Sequence, residues 1–178
     1  MSDQREECVA LWQICFEDEE DAPRACLSLP EVTLCTLREQ GRTVAMAVSI
    51  PVTLSEQSGR YLYAVCVAPE QRGKGYFRTL MRQCEAQAAD LGASFLCLVP
   101  ADEALAETYR RMGYGTEVAL WEDADEKAEK ILPAGEGFCR LAKDWYETEH
   151  VSRYGLLKWL STPQKNRKLA FACPMGEV

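Results

Sequence analysis

The chain has 178 residues, 47% of them hydrophobic and 27% charged, a composition typical of an ordinary globular protein with a single domain. A net charge of −8 argues against a nucleic-acid partner, because binding phosphates requires clustered lysine and arginine side chains. No hydrophobic run approaches the roughly 20 residues that span a bilayer, and the first residues do not resemble a signal peptide, so we expect a cytoplasmic protein with no membrane partner.

The nine cysteines fit a reducing compartment. They are scattered without a C-x-x-C pair, and the single histidine adds no ligand cluster, so the sequence predicts neither a disulfide framework nor a metal site. Most of them should be buried thiols that pack as small hydrophobic side chains. Cys66 as a nucleophile is the alternative, although it lies within a predicted strand and no base is visible near it in the sequence.

The first part of the chain predicts two helices followed by three strands. Residues 4–16 repeat hydrophobic side chains at helical spacing, and residues 21–29 predict a second, shorter helix. The segments 32–37, 44–54 and 61–67 are rich in β-branched and alternating hydrophobic residues, and short turns separate them. Short turns between consecutive strands predict an antiparallel meander.

The next segments predict alternating helices and strands. Hydrophobic residues recur at helical spacing over 77–91 and stop at a glycine, and residues 94–99 are apolar on both faces, as in a strand buried within a partly parallel sheet. Asp102 can cap a helix that runs to residue 112, and 116–121 predict another strand. The predicted fold is therefore α/β (α+β), with a mixed sheet, an antiparallel meander, one parallel β-α-β crossover and helices on both faces.

The last third of the chain is less regular. Residues 123–137 predict a polar linker, and the hydrophobic residues between 141 and 160 predict one or two helices. Residues 169–173 predict a final strand. We therefore divide the chain into a core at 1–122 and a segment at 123–178 that completes the same domain.

The turn at residues 68–80, APEQRGKGYFRTL, contains two glycines and three cationic side chains between a strand and a helix. It is not a P-loop, since no G-x-x-x-x-G-K-[ST] string occurs, and Arg78 stands where a dinucleotide fingerprint needs its third glycine. Glycines let successive backbone N–H groups point inward, and the following helix adds its positive N-terminal end. The turn therefore predicts an anion site that suits a pyrophosphate.

Two motifs resemble those of the GNAT superfamily, the acyl-CoA-dependent N-acyltransferases. Residues 67–75, VAPEQRGKG, resemble its signature loop, whose core is R/Q-x-x-G-x-G/A after a strand ending in valine. Residues 102–114 resemble a downstream pattern close to N-x-x-A-x-x-x-Y-x-x-x-G-F, with Tyr109 at the tyrosine position. The motifs stand in the family's order with one helix and one strand between them, and the resemblance covers roughly residues 30–122.

The resemblance implies an N-acetyltransferase that uses acetyl-CoA and direct attack by an amine on the thioester. Backbone groups of Val65 and Val67 would bind the pantetheine arm, with the Val65 N–H near the thioester oxygen, where charge develops. The pyrophosphate would be bound by the loop residues Arg72, Gly73, Lys74, Gly75 and Tyr76. Tyr109, which we also include among the cofactor-binding residues, would be the general acid for the leaving thiol, because the pKa of a phenol, near 10, is close to that of the CoA thiol that it would protonate.

Three positions depart from the family's pattern. Phe77 stands where the loop's last glycine or alanine is expected, which makes that wall of the phosphate site bulkier. Asp102, which we include among the cofactor-binding residues, replaces an asparagine that often contacts the pantetheine arm. Tyr61 stands where some members place a glutamate base, so the general base stays open among Glu103, His150 and water.

The acceptor is not identified by the sequence. A small-molecule amine is favoured, and the alternatives are a protein lysine or N-terminus as acceptor, and a module that binds acyl-CoA without catalysis. A homodimer is compatible with the sequence. Two acidic runs, at 17–21 and 122–126, would draw cationic acceptors if they lie near the site.

Overall fold

The computed structural model describes residues 2–135, 137–138, 140–141, 154–162, 167–173 and 175. The helices are α1 (Ser2–Phe16), α2 (Asp21–Ser28), α3 (Tyr76–Asp90) and α4 (Glu103–Arg111). The strands are β1 (Thr33–Glu39), β2 (Arg42–Leu54), β3 (Gln57–Val67), β4 (Phe95–Leu98), β5 (Thr116–Ala119), β6 (Glu129–Pro133), β7 (Tyr154–Trp159) and β8 (Leu169–Phe171). In this part of the chain, no helix is long and apolar enough to cross a membrane.

The strands form one mixed sheet of eight in the order β1-β2-β3-β4-β7-β5-β8-β6. The first three are an antiparallel meander, and β3 pairs with β4 in parallel through the crossover helix α3. Strand β6 also pairs with β2, so the sheet curves until its last strand meets its second. The predicted α/β fold class, with a meander and one parallel crossover, is confirmed.

Two hydrophobic cores lie on opposite faces of this sheet. One contains side chains of α1 and α2, among them Cys8, Trp12 and Cys26. The other contains side chains of α3 and α4, among them Leu80 and Tyr109. Helices therefore cover both faces, as the sequence predicts.

The sequence-based prediction was wrong for much of the C-terminal third. Residues 129–133 of the expected polar linker form β6, and the hydrophobic residues after Tyr154 form β7 where helices were predicted. The physical reason is that β7 is buried on both faces, with Leu156 in one core and Leu157 in the other. The predicted final strand is β8, and residues 142–153 of the predicted helical segment lie outside the described residues.

Strands β3 and β4 pair over only three positions and then separate. The paired residues are Gly59 with Phe95, Arg60 with Leu96, and Tyr61 with Cys97. Beyond that point β3 continues to Val67, whereas β4 pairs with β7 on its other edge. The separation opens a gap in the sheet beside the second half of β3.

A β-bulge lies in β3 at this gap. Tyr63 pairs with Val48 and Cys66 with Met46, so two residues of β3, Ala64 and Val65, face one residue of β2. Ala64 has φ 49°, a left-handed conformation that is uncommon for a residue other than glycine. A bulge bends its strand and redirects the neighbouring residues, and bulges of this kind are frequent beside active sites. Here the redirected residue is Val65.

Gly59 allows β3 and β4 to approach each other where their pairing begins. A Cβ at this position would overlap the ring of Phe95, which is fully buried and packs against Trp159 with ring centroids 5.7 Å apart. We expect Gly59→Ala to lower the free energy of unfolding by about 1–3 kcal/mol, the usual scale of overpacking, as measured by urea denaturation. Gly115→Ala is the control, since its Cβ would have no heavy atom within 4 Å. Equal stability of the two variants would rule out this close packing.

Candidate active site

A cavity of about 1090 Å³ lies beside the second half of β3. Its wall contains residues from the end of α1, from β3, from the turn before α3, and from α3 and α4. The residues predicted from the sequence that line it are Val65, Val67, Arg72, Gly73, Gly75, Tyr76 and Tyr109. The structure therefore brings the two motifs together, although they are about 30 residues apart in the chain.

Two predicted site residues, Lys74 and Asp102, are not part of the cavity wall. The Lys74 ammonium donates to the side chain of Gln71 at 2.7 Å on the surface. The Asp102 carboxylate accepts a hydrogen bond from the backbone N–H of Leu105 at 2.7 Å and caps the N-terminus of α4. The structure thus gives Asp102 a capping role, and its contact with the cofactor stays a prediction.

The turn between β3 and α3 has the backbone conformation that its glycines permit. Gly73 and Gly75 have φ of 79° and 86°, and a Cβ on either would meet no heavy atom within 4 Å. Gly75 is the N-cap of α3, whose first backbone N–H groups have no partner within the helix. A helix N-terminus with open space in front of it is a suitable site for a phosphate group.

The cavity wall is strongly cationic. Its cationic side chains are Arg72, Arg78, Arg82, Arg111 and Lys158. Among the described residues that line it, Glu85 is the one carboxylate, and it forms an ion pair with Lys158 at 2.8 Å. The guanidinium of Arg72 also donates to the backbone carbonyl of Val67 at 3.2 Å, which ties the turn to the end of β3. This side of the cavity has the charge that a polyphosphate requires.

Tyr109 lies in the cavity wall with only 1% of its surface exposed. Its ring packs against Phe77 and Tyr114, with centroid distances of 5.6 and 5.7 Å. Burial raises the pKa of Tyr109 above its ordinary value, so the phenol keeps its proton at neutral pH. Phe77, the bulky departure from the family's loop pattern, thus contacts the ring of the predicted general acid.

Neither Glu103, one of the two side chains considered for the general base, nor Tyr61, at the family's glutamate position, lines this cavity. Glu103 accepts a hydrogen bond from the Tyr154 hydroxyl at 2.5 Å and pairs with Arg110, and both contacts lower its pKa. Tyr61 is fully buried, and its ring packs on Phe138 away from the cavity wall. His150 lies outside the described residues.

Other residues of the cavity wall were not predicted from the sequence. Cys15 and Phe16 close one side from the end of α1, and Cys66 lies between the two predicted valines of β3. Lys158 comes from β7, where the sequence predicted a helix. The sequence did contain one usable signal, since Cys15 continues the hydrophobic face of α1 and lies two residues before the first acidic run.

The two acidic runs have different positions. The first, at 17–21, begins directly after Phe16 of the cavity wall, and all of its residues are exposed. The second, at 122–126, contributes Asp123 and Asp125 to a separate cavity of about 500 Å³, where Asp125 pairs with Lys168 at 2.7 Å. The first run therefore follows a residue of the main cavity wall in the chain, whereas the second contributes to a separate cavity.

Comparisons with known proteins agree with this geometry. A family model described as "Acetyltransferase (GNAT) domain" matches residues 1–116. The chain is similar to the ribosomal-protein-S18-alanine N-acetyltransferase from Escherichia coli, at 15% identity and a TM-score of 0.58, with 93% of this chain and 94% of that chain covered. No curated protein matches the chain in sequence.

Two further solved structures are similar to this chain, and they contain bound CoA or acetyl-CoA. A GNAT family N-acetyltransferase from Escherichia coli in complex with CoA has 13% identity and a TM-score of 0.62, with 96% of this chain and 84% of that chain covered. A GNAT family acetyltransferase from Brucella melitensis in complex with acetyl-CoA has 21% identity and a TM-score of 0.50, with 63% and 74% covered. At these identities the likeness shows a shared fold.

Proposed function

Since the chain belongs to the GNAT family of acetyl-CoA-dependent N-acetyltransferases, we propose that its acceptor is the primary amine of a small cationic molecule and that Tyr109 is its general acid. The observation that carries this proposal is the single cavity that joins Val65, the glycine turn and Tyr109. The glycine turn, which suits a pyrophosphate, and the Tyr109 phenol line the same cavity, as an acyl-CoA reaction would require.

The donor, acetyl-CoA, would lie along the edge of β3 that β4 leaves free. Val65 and Val67 line the cavity there, and the bulge at Ala64 redirects the backbone N–H of Val65. An N–H aimed at the thioester oxygen stabilises the negative charge that develops on it when the amine attacks. The turn from Arg72 to Gly75 and the N-terminus of α3 would bind the pyrophosphate.

The acceptor amine must attack in its neutral form. A primary alkylamine with a pKa near that of lysine is neutral in roughly one molecule in 2,500 at pH 7, which corresponds to about 4.6 kcal/mol. Partial burial in the cavity offsets part of that cost, because desolvation disfavours the charged form of an amine. A water chain would carry the proton away, since Glu85, the one carboxylate that the described part of the chain contributes to the wall, is paired with Lys158.

The leaving group of the reaction is the CoA thiol. As the bond between carbonyl carbon and sulfur breaks, the Tyr109 hydroxyl would give its proton to the sulfur and later regain one from solvent. Burial raises the pKa of Tyr109, so the phenol holds a proton that it would transfer only as negative charge develops on the leaving sulfur. Packing against Phe77 and Tyr114 holds the ring in one orientation.

An acceptor panel tests the proposed substrate class. Purified protein and acetyl-CoA are mixed with polyamines, amino sugars, neutral amines, anionic amino acids and short peptides, and both thiol release and acetylated product are measured. We expect the fastest reaction with small amines that carry a further positive charge. Acetylation of peptides alone would contradict the proposal and favour a protein acceptor. Sedimentation of the same preparation tests whether the protein is a homodimer, which the sequence leaves open.

Salt should slow the reaction with cationic acceptors. The acidic run at 17–21 follows a residue of the cavity wall in the chain and would raise the local concentration of cations, an effect that is screened beyond about 8 Å at physiological salt. We therefore expect kcat/KM for a polyamine to fall as ionic strength rises, and kcat/KM for a neutral amine to stay constant. Initial rates measured over a salt series with both substrates check this prediction.

Charge-neutralising variants locate the source of this attraction. Glu17→Gln combined with Glu19→Gln removes two exposed charges from the first run and should lower kcat/KM for a polyamine at low salt by about two- to fivefold. Glu122→Gln combined with Glu126→Gln removes two exposed charges from the second run and serves as the control. Equal effects of the two double variants would mean that overall charge, and not the run at 17–21, attracts the acceptor.

A further inference from the structure

Two cysteine thiols lie together in the wall of the main cavity. Cys15 is at the end of α1 and partly exposed, and Cys66 is in β3 between the two valines that line the proposed donor site. The Cys15 thiol donates to the backbone carbonyl of Val67 at 3.6 Å, and the Arg72 guanidinium donates to the same oxygen. A thiol is therefore held where the end of β3 meets the turn.

The surroundings of Cys15 favour its thiolate. A hydrogen bond with the Cys66 thiol and the positive charge of Arg72 lower the pKa of Cys15 to about 7, against the opposing effects of partial burial and of Glu70. The pKa of Cys66 rises because of the same hydrogen bond and its own burial. These contacts thus favour the thiolate at Cys15 over that at Cys66, and the thiolate is the form that attacks disulfides.

We propose that Cys15 is a site of reversible covalent modification by the disulfide form of CoA. The Cys15 sulfur attacks one sulfur of the disulfide, the bond between the two CoA sulfurs breaks, and a mixed disulfide of Cys15 with CoA forms. The second CoA leaves as a thiolate and takes a proton from solvent. Cys15 is oxidised and one CoA is reduced, so no other oxidant is needed.

The location of Cys15 makes this exchange selective. This inference rests on the proposed donor site, because the same turn and cationic wall that would bind the phosphates of acetyl-CoA would also bind those of CoA disulfide. Binding raises the effective concentration of the disulfide next to the thiol. The CoA that becomes attached occupies the donor site, so the modified protein cannot bind acetyl-CoA until a reductant releases it.

A second pair of thiols lies away from the cavity, where a disulfide bound in the donor site would not reach it. Cys35 and Cys84 also share a hydrogen bond, and this bond lowers the pKa of Cys35. However, Cys35 is only 1% exposed and does not line the cavity. The two pairs resemble each other in hydrogen bonding and differ in access, so Cys35 is an internal control within the same chain.

The experiment treats reduced wild-type protein with CoA disulfide and follows the adduct by intact-protein mass spectrometry and peptide mapping. We expect one CoA per chain on Cys15, removable by dithiothreitol, none on Cys35, and none in Cys15→Ser. Glutathione disulfide, which lacks the phosphates, should react at least about tenfold more slowly. Saturating acetyl-CoA should slow the reaction of wild-type protein with CoA disulfide by a similar factor.

The pH dependence of the rate gives a separate check on the role of Cys66. The groups that act on Cys15 are Cys66, Arg72 and Glu70, and Cys66→Ala removes the hydrogen bond that lowers its pKa most. The rate of modification in Cys66→Ala should therefore reach half of its maximum at a higher pH than in wild-type protein. An unchanged pH profile would contradict the assigned hydrogen bond.

Several outcomes would overturn the proposal. They are an adduct on another cysteine, no adduct at all, an equal rate with glutathione disulfide, and a rate that acetyl-CoA does not slow. Calorimetric titration of reduced wild-type protein with acetyl-CoA tests the donor site independently. Failure of the thiol proposal with normal acetyl-CoA binding would leave the proposed function intact.

Discussion

Replacing Tyr109 with phenylalanine should lower kcat by about 10²-fold or more, the usual scale for a lost general acid. The change removes only the hydroxyl, so the ring can keep its contacts with Phe77 and Tyr114. The KM for acetyl-CoA should barely change, because in the proposed complex the turn would bind the phosphates and β3 would bind the pantetheine arm. Steady-state kinetics with a saturating amine measure both constants.

Tyr114→Phe is the matched control for this variant. Tyr114 packs edge-to-face on Tyr109 and is fully buried, and its hydroxyl has no hydrogen-bond partner among the described residues. It does not line the cavity, so its loss should leave kcat near normal. Removal of an unpartnered buried hydroxyl should leave stability unchanged or slightly higher. Near-normal kcat in Tyr109→Phe, or an equal loss in both variants, would exclude Tyr109 as the acid.

The pH profile of the wild-type enzyme adds a test that needs no substitution. A tyrosine acid with an ordinary pKa near 10 would lose its proton, and its activity, as the pH rises through that value. Burial raises the pKa of Tyr109, so its protonated form persists to higher pH. We therefore expect kcat to hold its plateau up to pH 10, and a loss of kcat centred at or below pH 10 would contradict the assignment.

Gly75→Glu should weaken acetyl-CoA binding by at least tenfold, or about 1.4 kcal/mol. The backbone at Gly75 has φ 86°, and a side chain there would extend into open space at the N-terminus of α3. A carboxylate in that space would repel the pyrophosphate and occupy its site. Isothermal titration calorimetry measures the dissociation constant, and circular dichroism checks that the variant is folded.

Two control variants separate the effect of the added charge on acetyl-CoA affinity from the effects of backbone strain and side-chain bulk. Gly92→Glu introduces the same side chain at a glycine with φ 76° and open surroundings, after the opposite end of α3. It carries similar backbone strain without a charge in the cavity, so acetyl-CoA affinity should be normal. Gly75→Gln keeps the bulk and removes the charge, and it should lose less affinity than Gly75→Glu. Unchanged affinity in a folded Gly75→Glu variant would mean that the pyrophosphate binds elsewhere.

Much of the fold could be predicted from the sequence because its signals are local. Alternation over β2 and helical spacing over α3 specify each element without reference to its neighbours. Strand β7 could not be predicted in this way, since Leu156 and Leu157 are adjacent in the chain and enter opposite cores. Two consecutive buried residues are too short a run to distinguish a strand from a helix, unlike the longer apolar run of β4, and the partners of β7, which are β4 and β5, come from earlier in the chain.

One side of the candidate site could be predicted from the sequence, and the other side could not. The proposed donor side could be predicted because the glycine turn and the Tyr109 motif are contiguous strings. The opposite side depends on where α1 ends relative to β3, which places Cys15 and Phe16 in the wall. The contact between Phe77 and Tyr109 likewise joins two helices, so the sequence could show Phe77 only as a departure from a pattern.

Acetyl transfer through this one cavity is tested most directly by measuring, in one reaction, the thiol released from acetyl-CoA and the acetylated cationic amine. We expect one thiol for each acetylated amine, no thiol release above the hydrolytic rate without the amine, and at least tenfold lower kcat/KM for acetyl-CoA in Gly75→Glu. Thiol release that does not depend on the amine, or full activity of Gly75→Glu, would contradict the proposed reaction.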